Sequence, residues 1–364
     1  MLRLAMRLGV AWVTVAIFLV AGAALTSTAS PIVMAALFAW LLGVILWSAF
    51  GVVHEAEALA ERLGEPLGTL MLTLSIVIIE VALIAAVMLD AKGAPTLGRD
   101  TMFAVLMIVL NGVVGLGLLV GGVRHYQQSY SLQGASAYLA VIIPLTMIAL
   151  VLPNFTSSSA VGTLSPLQAI FFSIFTITLY GLFLWLQTGR HQGFFADAAE
   201  ASGSETGAHH ASLAGSTAGN VALLLANILP IVILSKSIAK LLDQGIVALG
   251  APTALGGIII AVIVFMPEGI SALRAVAGNQ LTRAINLCLG AAASTLGLTV
   301  PAVLLIGLLT GQTVVLGVSP ANTVLLAVTL MLSTLTFSGT RTTMLEGAVH
   351  LTMFLVFMVL VFSP

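Results

Sequence analysis

Long runs of apolar residues alternate with short polar breaks along almost the whole chain, and no run shows the two-residue alternation of a strand. Eleven of these runs are long enough to be read as membrane-spanning helices: residues 8–25, 32–52, 67–88, 101–122, 136–153, 166–187, 218–242, 251–273, 284–310, 321–337 and 343–362. A transmembrane β-barrel would show alternating segments of roughly ten residues, so the pattern predicts an all-α polytopic membrane protein. The polar connector HEAEALAERLGEP is expected as a short amphipathic helical extension ending at Pro66. Residues 188–217, rich in Gly, Ser and Ala, form the one long polar stretch; they hold Asp197, Glu200, Glu205, His209 and His210 and read as a solvated linker.

Composition agrees with the pattern. Of 364 residues, 60% are apolar and 7% charged, and the mean hydropathy is +1.17. A formal net charge of −1 gives no case for nucleic acid. Cys288 is the only cysteine, which excludes a disulfide or a thiolate metal cluster. Thirty-five glycines point to closely packed helices, but they do not say whether the packing is within or between chains.

Charge orients the spans. With the N-terminus inside, the inner loops receive Arg3, Arg7, Arg62, Arg124, Arg190, Arg274, Arg283 and Arg341, and the outer side Lys92, Arg99, Lys236 and Lys240. That bias favours N-terminus in and C-terminus out. The first run follows basic residues and precedes small ones at 27–29, as a signal peptide would; it is kept as a span, since its loss would leave ten helices with the opposite start.

Two runs carry an acid in their interior, Glu80 in 67–88 and Glu268 in 251–273. A lone charge at mid-membrane depth costs roughly 2.5–3.5 kcal/mol on insertion scales, so such residues are read as functional. The two runs lie five spans apart and cross in opposite directions. The chain therefore divides into an extra helix (1–30), a first five-helix repeat (31–187), the polar loop (188–217) and a second, inverted repeat (218–364). Pro267 precedes Glu268 and Gly269 follows it, which predicts a helix interrupted there, with freed carbonyls. The run after each acidic one carries Asn-x-x-x-Gly, as Asn111/Gly115 and Asn286/Gly290; close packing accounts for the glycines, while the asparagines are equally open to a ligand role. Thr73, two turns before Glu80, and Ser294 and Thr295 complete the candidate supporting ligands; Ser75 is expected to bond back to its own helix. Glu346 and His350 are expected to pair with each other or with Arg341, and Arg99 and Asp100 to anchor a helix end.

Two carboxylates suit Ca²⁺, which takes six to eight hard oxygens. In low dielectric the pair cannot stay charged and empty, so protons replace the metal when it leaves. That is the logic of an exchanger, and it does not by itself choose Ca²⁺ over Na⁺ or K⁺. Enzyme signatures are poor: HEAEA at His54 lacks the second histidine of a zinc site, Ser237-x-x-Lys240 is a chance-level pattern, and there is no phosphate-binding loop. Neither an enzyme activity nor a cofactor is expected. The alternatives are a Na⁺/Ca²⁺ exchanger and a non-transporting membrane protein with a buried acid pair.

The segments AEALAERLGEPLGTLMLTLSIVIIE (56–80) and PEGISALRAVAGNQLTRAINLCLGAAASTLGLTVP (267–301) resemble the two signature repeats of the calcium/cation antiporter superfamily, calcium/proton exchanger branch. TRTTMLEGAVHL resembles that branch's last-helix motif, with Glu346 in its acidic place. Within the branch the chain is most similar to bacterial ChaA-type calcium/proton and sodium (potassium)/proton antiporters. The resemblance implies that Glu80 and Glu268 bind both cation and proton, that the polar loop is cytoplasmic, and that the protein sits in a bacterial cytoplasmic membrane. The branch's Gly-Asn positions are filled here by Ile76-Val77 and Val264-Phe265, so the usual asparagine ligands are missing and monovalent cations remain open.

Overall fold

A computed structural model describes residues 2–27, 30–64, 67–90, 95–195 and 217–363. Residues 196–216 of the polar loop, with Asp197, Glu200, Glu205, His209 and His210, lie outside the described residues, as do Pro66 and Lys92. Those described are almost wholly helical: α1 (Leu2–Ser27), α2 (Pro31–Leu63), α3 (Leu67–Asp90), α4 (Leu97–Leu106), α5 (Val114–His125), α6 (Leu132–Thr146), α7 (Pro166–Trp185), α8 (Thr217–Leu249), α9 (Ala254–Ala277), α10 (Leu281–Ser294), α11 (Val300–Thr310), α12 (Pro320–Thr336) and α13 (Met344–Phe362). A two-residue ladder, β1 (Gln128–Ser129) against β2 (Arg341–Thr342), is the exception. Nine helical stretches among the described residues are long and apolar enough to cross a membrane, with shorter apolar helices at Leu70–Ala86 and Pro320–Thr336. The protein is an all-α polytopic membrane protein.

The connector after residue 52 is a helical extension of the second span, as expected: α2 runs unbroken for 33 residues and stops at Gly64, short of Pro66, where a φ of 64° ends the helix. Another expectation changes: α9 stays α-helical through Pro267 and Gly269. The proline still leaves the Ile263 carbonyl without its usual donor four residues on, but it does not break the helix.

The interruptions fall elsewhere. A π-helical stretch, Met107–Val113, joins α4 to α5, and another, Thr295–Thr299, joins α10 to α11. Each begins at the same distance beyond its acid, 80 to 107 and 268 to 295. A third, Met147–Val151, follows α6, and a fourth, Leu186–Arg190, follows α7. Two of these four end two residues before a proline, Pro153 or Pro301, which cannot donate into the helical ladder.

The chain forms two compact units, Met1–Leu97 with His209–Pro267, and Gly98–Ala208 with Glu268–Pro364. In the first, α1, α2, α3 and α8 pack together, with α2 and α8 each 33 residues long. At 1.5 Å per residue each spans about 50 Å, more than the ~30 Å of a bilayer's apolar core. In the second, α5 lies against α13 with almost no side chain between them. A Cβ on Gly347 would sit 2.3 Å from the Leu119 amide nitrogen, and one on Gly115 2.8 Å from that of Leu351. Small residues let these backbones touch.

Candidate functional site

Glu80 lies on α3 in the first unit and is 1% exposed; Glu268 lies on α9, begins the second unit's share of that helix, and is 5% exposed. Both carboxylates are thus out of contact with solvent, on helices that are otherwise apolar. Thr73 is half-buried two turns before Glu80. Ser75 donates to the Met71 carbonyl at 2.7 Å, as its position predicted. Ser294 donates to the Ala291 carbonyl at 3.0 Å, which leaves its oxygen lone pairs free to accept. Thr295 is buried and opens the second π stretch.

Both asparagines are engaged with protein groups. Asn111, fully buried within the first π stretch, donates from Nδ2 to Thr329 Oγ1 at 2.8 Å, and its Oδ1 lies 3.1 Å from His350 Nδ1. His350 Nε2 lies 3.0 Å from Thr336 Oγ1. Because the Asn111 oxygen can only accept, Nδ1 carries the proton and Nε2 accepts from the threonine hydroxyl; the bonding network assigns this tautomer. Asn286 donates to the Phe195 carbonyl at 2.6 Å and so pins the first part of the polar loop.

The expected Glu346 pairing does not form. Its carboxylate accepts from the backbone N–H of Thr343 at 2.9 Å and from the Thr343 hydroxyl, capping α13. One turn on, His350 faces Asn111, and Arg341 reaches Gln127 at 3.4 Å. Arg99 does anchor its helix end, bonding Asp100 and, at 3.1 Å, the Gly317 carbonyl. Tyr130, outside the spans, donates to the Gly339 carbonyl at 2.6 Å, and burial pushes its phenol up to about 12.

The Asn111–His350–Thr336 group escaped the sequence reading. Its one signal was the spacing of Thr329, Ser333 and Thr336, which puts three hydroxyls on one face of an apolar helix. A small cavity lined by Val113, Gly117, Ala272, Val276 and Cys288 is apolar and offers a cation no side-chain oxygen.

The chain matches the sodium/calcium exchanger protein family over residues 33–189 and 219–363. It is 37% identical over 339 residues to the sodium-potassium/proton antiporter ChaA of Escherichia coli (strain K12), covering 93% of this chain and 92% of that one. Among solved structures it resembles native YfkE, with a TM-score of 0.74 at 17% identity, covering 98% of this chain and 99% of that one. It also resembles the H⁺/Ca²⁺ exchanger CAX, with a TM-score of 0.67 at 14% identity, covering 97% of this chain and 88% of that one. These last two likenesses speak to the fold. Acids buried in apolar helices, an all-helical membrane fold and the match over both halves lead to one assignment: the chain belongs to the sodium/calcium exchanger protein family, within the calcium/cation antiporter superfamily, and is a transporter of inorganic cations.

Proposed function

We propose that this protein is a secondary antiporter that exports cytoplasmic Ca²⁺, or Na⁺ or K⁺ at the same oxygens, in exchange for protons, through a site made by Glu80 and Glu268. The observation that carries this reading is the burial of both carboxylates, 1% and 5% exposed, inside apolar membrane helices. Two carboxylates offer a cation up to four oxygens. The Thr73 hydroxyl, the Ile263 carbonyl left without its donor by Pro267, and the hydroxyls of Ser294 and Thr295 are candidate further oxygens, on the two acidic helices and at the start of the second π stretch. Asn111 and Asn286, whose amides are held by protein partners, support the site by fixing helices. A site that is filled by a cation or by protons, and seldom left charged and empty, couples the two flows under alternating access. The membrane is the bacterial cytoplasmic one, with the N-terminus inside and the C-terminus outside, on the arginine and lysine bias.

ChaA is named for sodium, potassium and protons, CAX for protons and calcium, and a cation panel separates these substrates. In everted vesicles holding a preformed pH gradient, adding the transported cation should collapse the gradient. Glu80→Gln and Glu268→Gln should each lower exchange at least tenfold. A gradient untouched by Ca²⁺, Na⁺ and K⁺ sinks the antiporter reading, and wild-type rates in either mutant sink the site. The family's description favours a second reading, Na⁺/Ca²⁺ exchange; it is met if Ca²⁺ uptake follows a sodium gradient and ignores pH.

A further inference from the structure

Helix α1 lies outside the part of the chain that matches the family, yet polar contacts fasten it to both long helices at four levels. At one end Arg7 Nη2 meets Glu55 Oε1 of α2 at 3.3 Å, with both side chains largely buried. The guanidinium lies over Gly51, where a Cβ would fall 2.3 Å from Arg7 Cζ. Higher up, the Trp12 indole N–H donates to the Ala226 carbonyl of α8 at 3.1 Å. Next, the Trp40 indole of α2 donates to Thr14 Oγ1 at 3.2 Å. At the far end Lys240 Nζ of α8 donates to Thr26 Oγ1 at 3.0 Å. The contacts alternate between α2, α8, α2 and α8.

The long helices are prepared for this docking. In an unbroken helix the Ala226 carbonyl would accept from the N–H of residue 230, but residue 230 is Pro230, inside α8, and has none. Trp12 supplies the missing donor. Gly51 likewise leaves the space that Arg7 fills.

We propose that α1 is a strap that ties α2 to α8, so that the two long helices move as one body during exchange. The strap sets the rate of the cycle and leaves the affinity for the cation alone, since none of its contacts involves a candidate ligand. The transport half of this proposal rests on the antiporter reading; the mechanical half does not.

The test compares Trp12→Phe, which keeps the ring and removes the donor, in two backgrounds. One is the natural sequence; the other is Pro230→Ala, which gives α8 back its own donor to Ala226. Spin labels on Ile32→Cys of α2 and Val247→Cys of α8, both exposed, report the inter-helix distance once Cys288→Ser has removed the only other thiol. Trp12→Phe should broaden the distance distribution and lower the maximal exchange rate by about twofold to tenfold, the factor that one net hydrogen bond represents. The half-saturating cation concentration should stay unchanged. In the Pro230→Ala background both effects should vanish. A Trp12→Phe effect of equal size in both backgrounds, an unbroadened distribution, or a shifted half-saturation overturns the strap. If the natural protein moves no cation in vesicles, the antiporter reading fails, and the label distances still decide whether α1 ties the helices.

Discussion

At the scale of single residues, the two acids were legible because they were costly. A carboxylate in the middle of an apolar run has no inexpensive structural explanation. The partners of Asn111 were not legible, because Thr329 and His350 lie 218 and 239 residues away and nothing local marks them. Their geometry makes a prediction. Thr329→Val keeps the shape and removes the oxygen that accepts from Asn111 Nδ2, with the Met107 sulfur at 3.5 Å left as a poor substitute among the described residues. A buried donor without a good acceptor should cost about 1–3 kcal/mol. Thermal unfolding in detergent should show it, and an unchanged melting temperature would mean that the amide finds another acceptor.

At the scale of elements, the hydrophobic pattern placed the helices well and their ends less well. The charged connector after residue 52 read as a helical extension as far as Pro66; the helix carries straight through it but stops at Gly64. The π stretches left no trace in periodicity, since one extra residue per turn shifts an apolar stripe only slightly when the whole helix is apolar. Glycine in long apolar runs signalled close packing without saying where. The structure gives the place, the α5–α13 contact, and with it a prediction. Gly347→Ala puts a methyl 2.3 Å from a backbone nitrogen, which cannot swing aside as a side chain could. The helices must part, at a cost of about 1–3 kcal/mol. Gly43→Ala, on α2, meets nothing within 4 Å and is the control. Equal yields and melting temperatures for the two variants would show that the contact is slack.

At the scale of the whole molecule, the two-half organisation was an expectation drawn from counting spans between the acids; the family model matches two stretches, 33–189 and 219–363. How the halves are used was not legible, because periodicity says which face of a helix is apolar and never which helix it meets. Each compact unit draws on both sides of the polar loop: the first joins Met1–Leu97 to His209–Pro267, and the second joins Gly98–Ala208 to Glu268–Pro364. The consequence concerns synthesis. While only the residues before the polar loop have left the ribosome, neither unit is complete, and every helix then in the membrane still lacks partners that follow it in the chain. A gene split within the loop should therefore give two fragments that are each degraded when expressed alone. Expressed together, they should co-purify as a complementing pair and restore cation-driven proton flux. A single fragment that accumulates as a monodisperse, helical species would show that the interleaving is not required for folding.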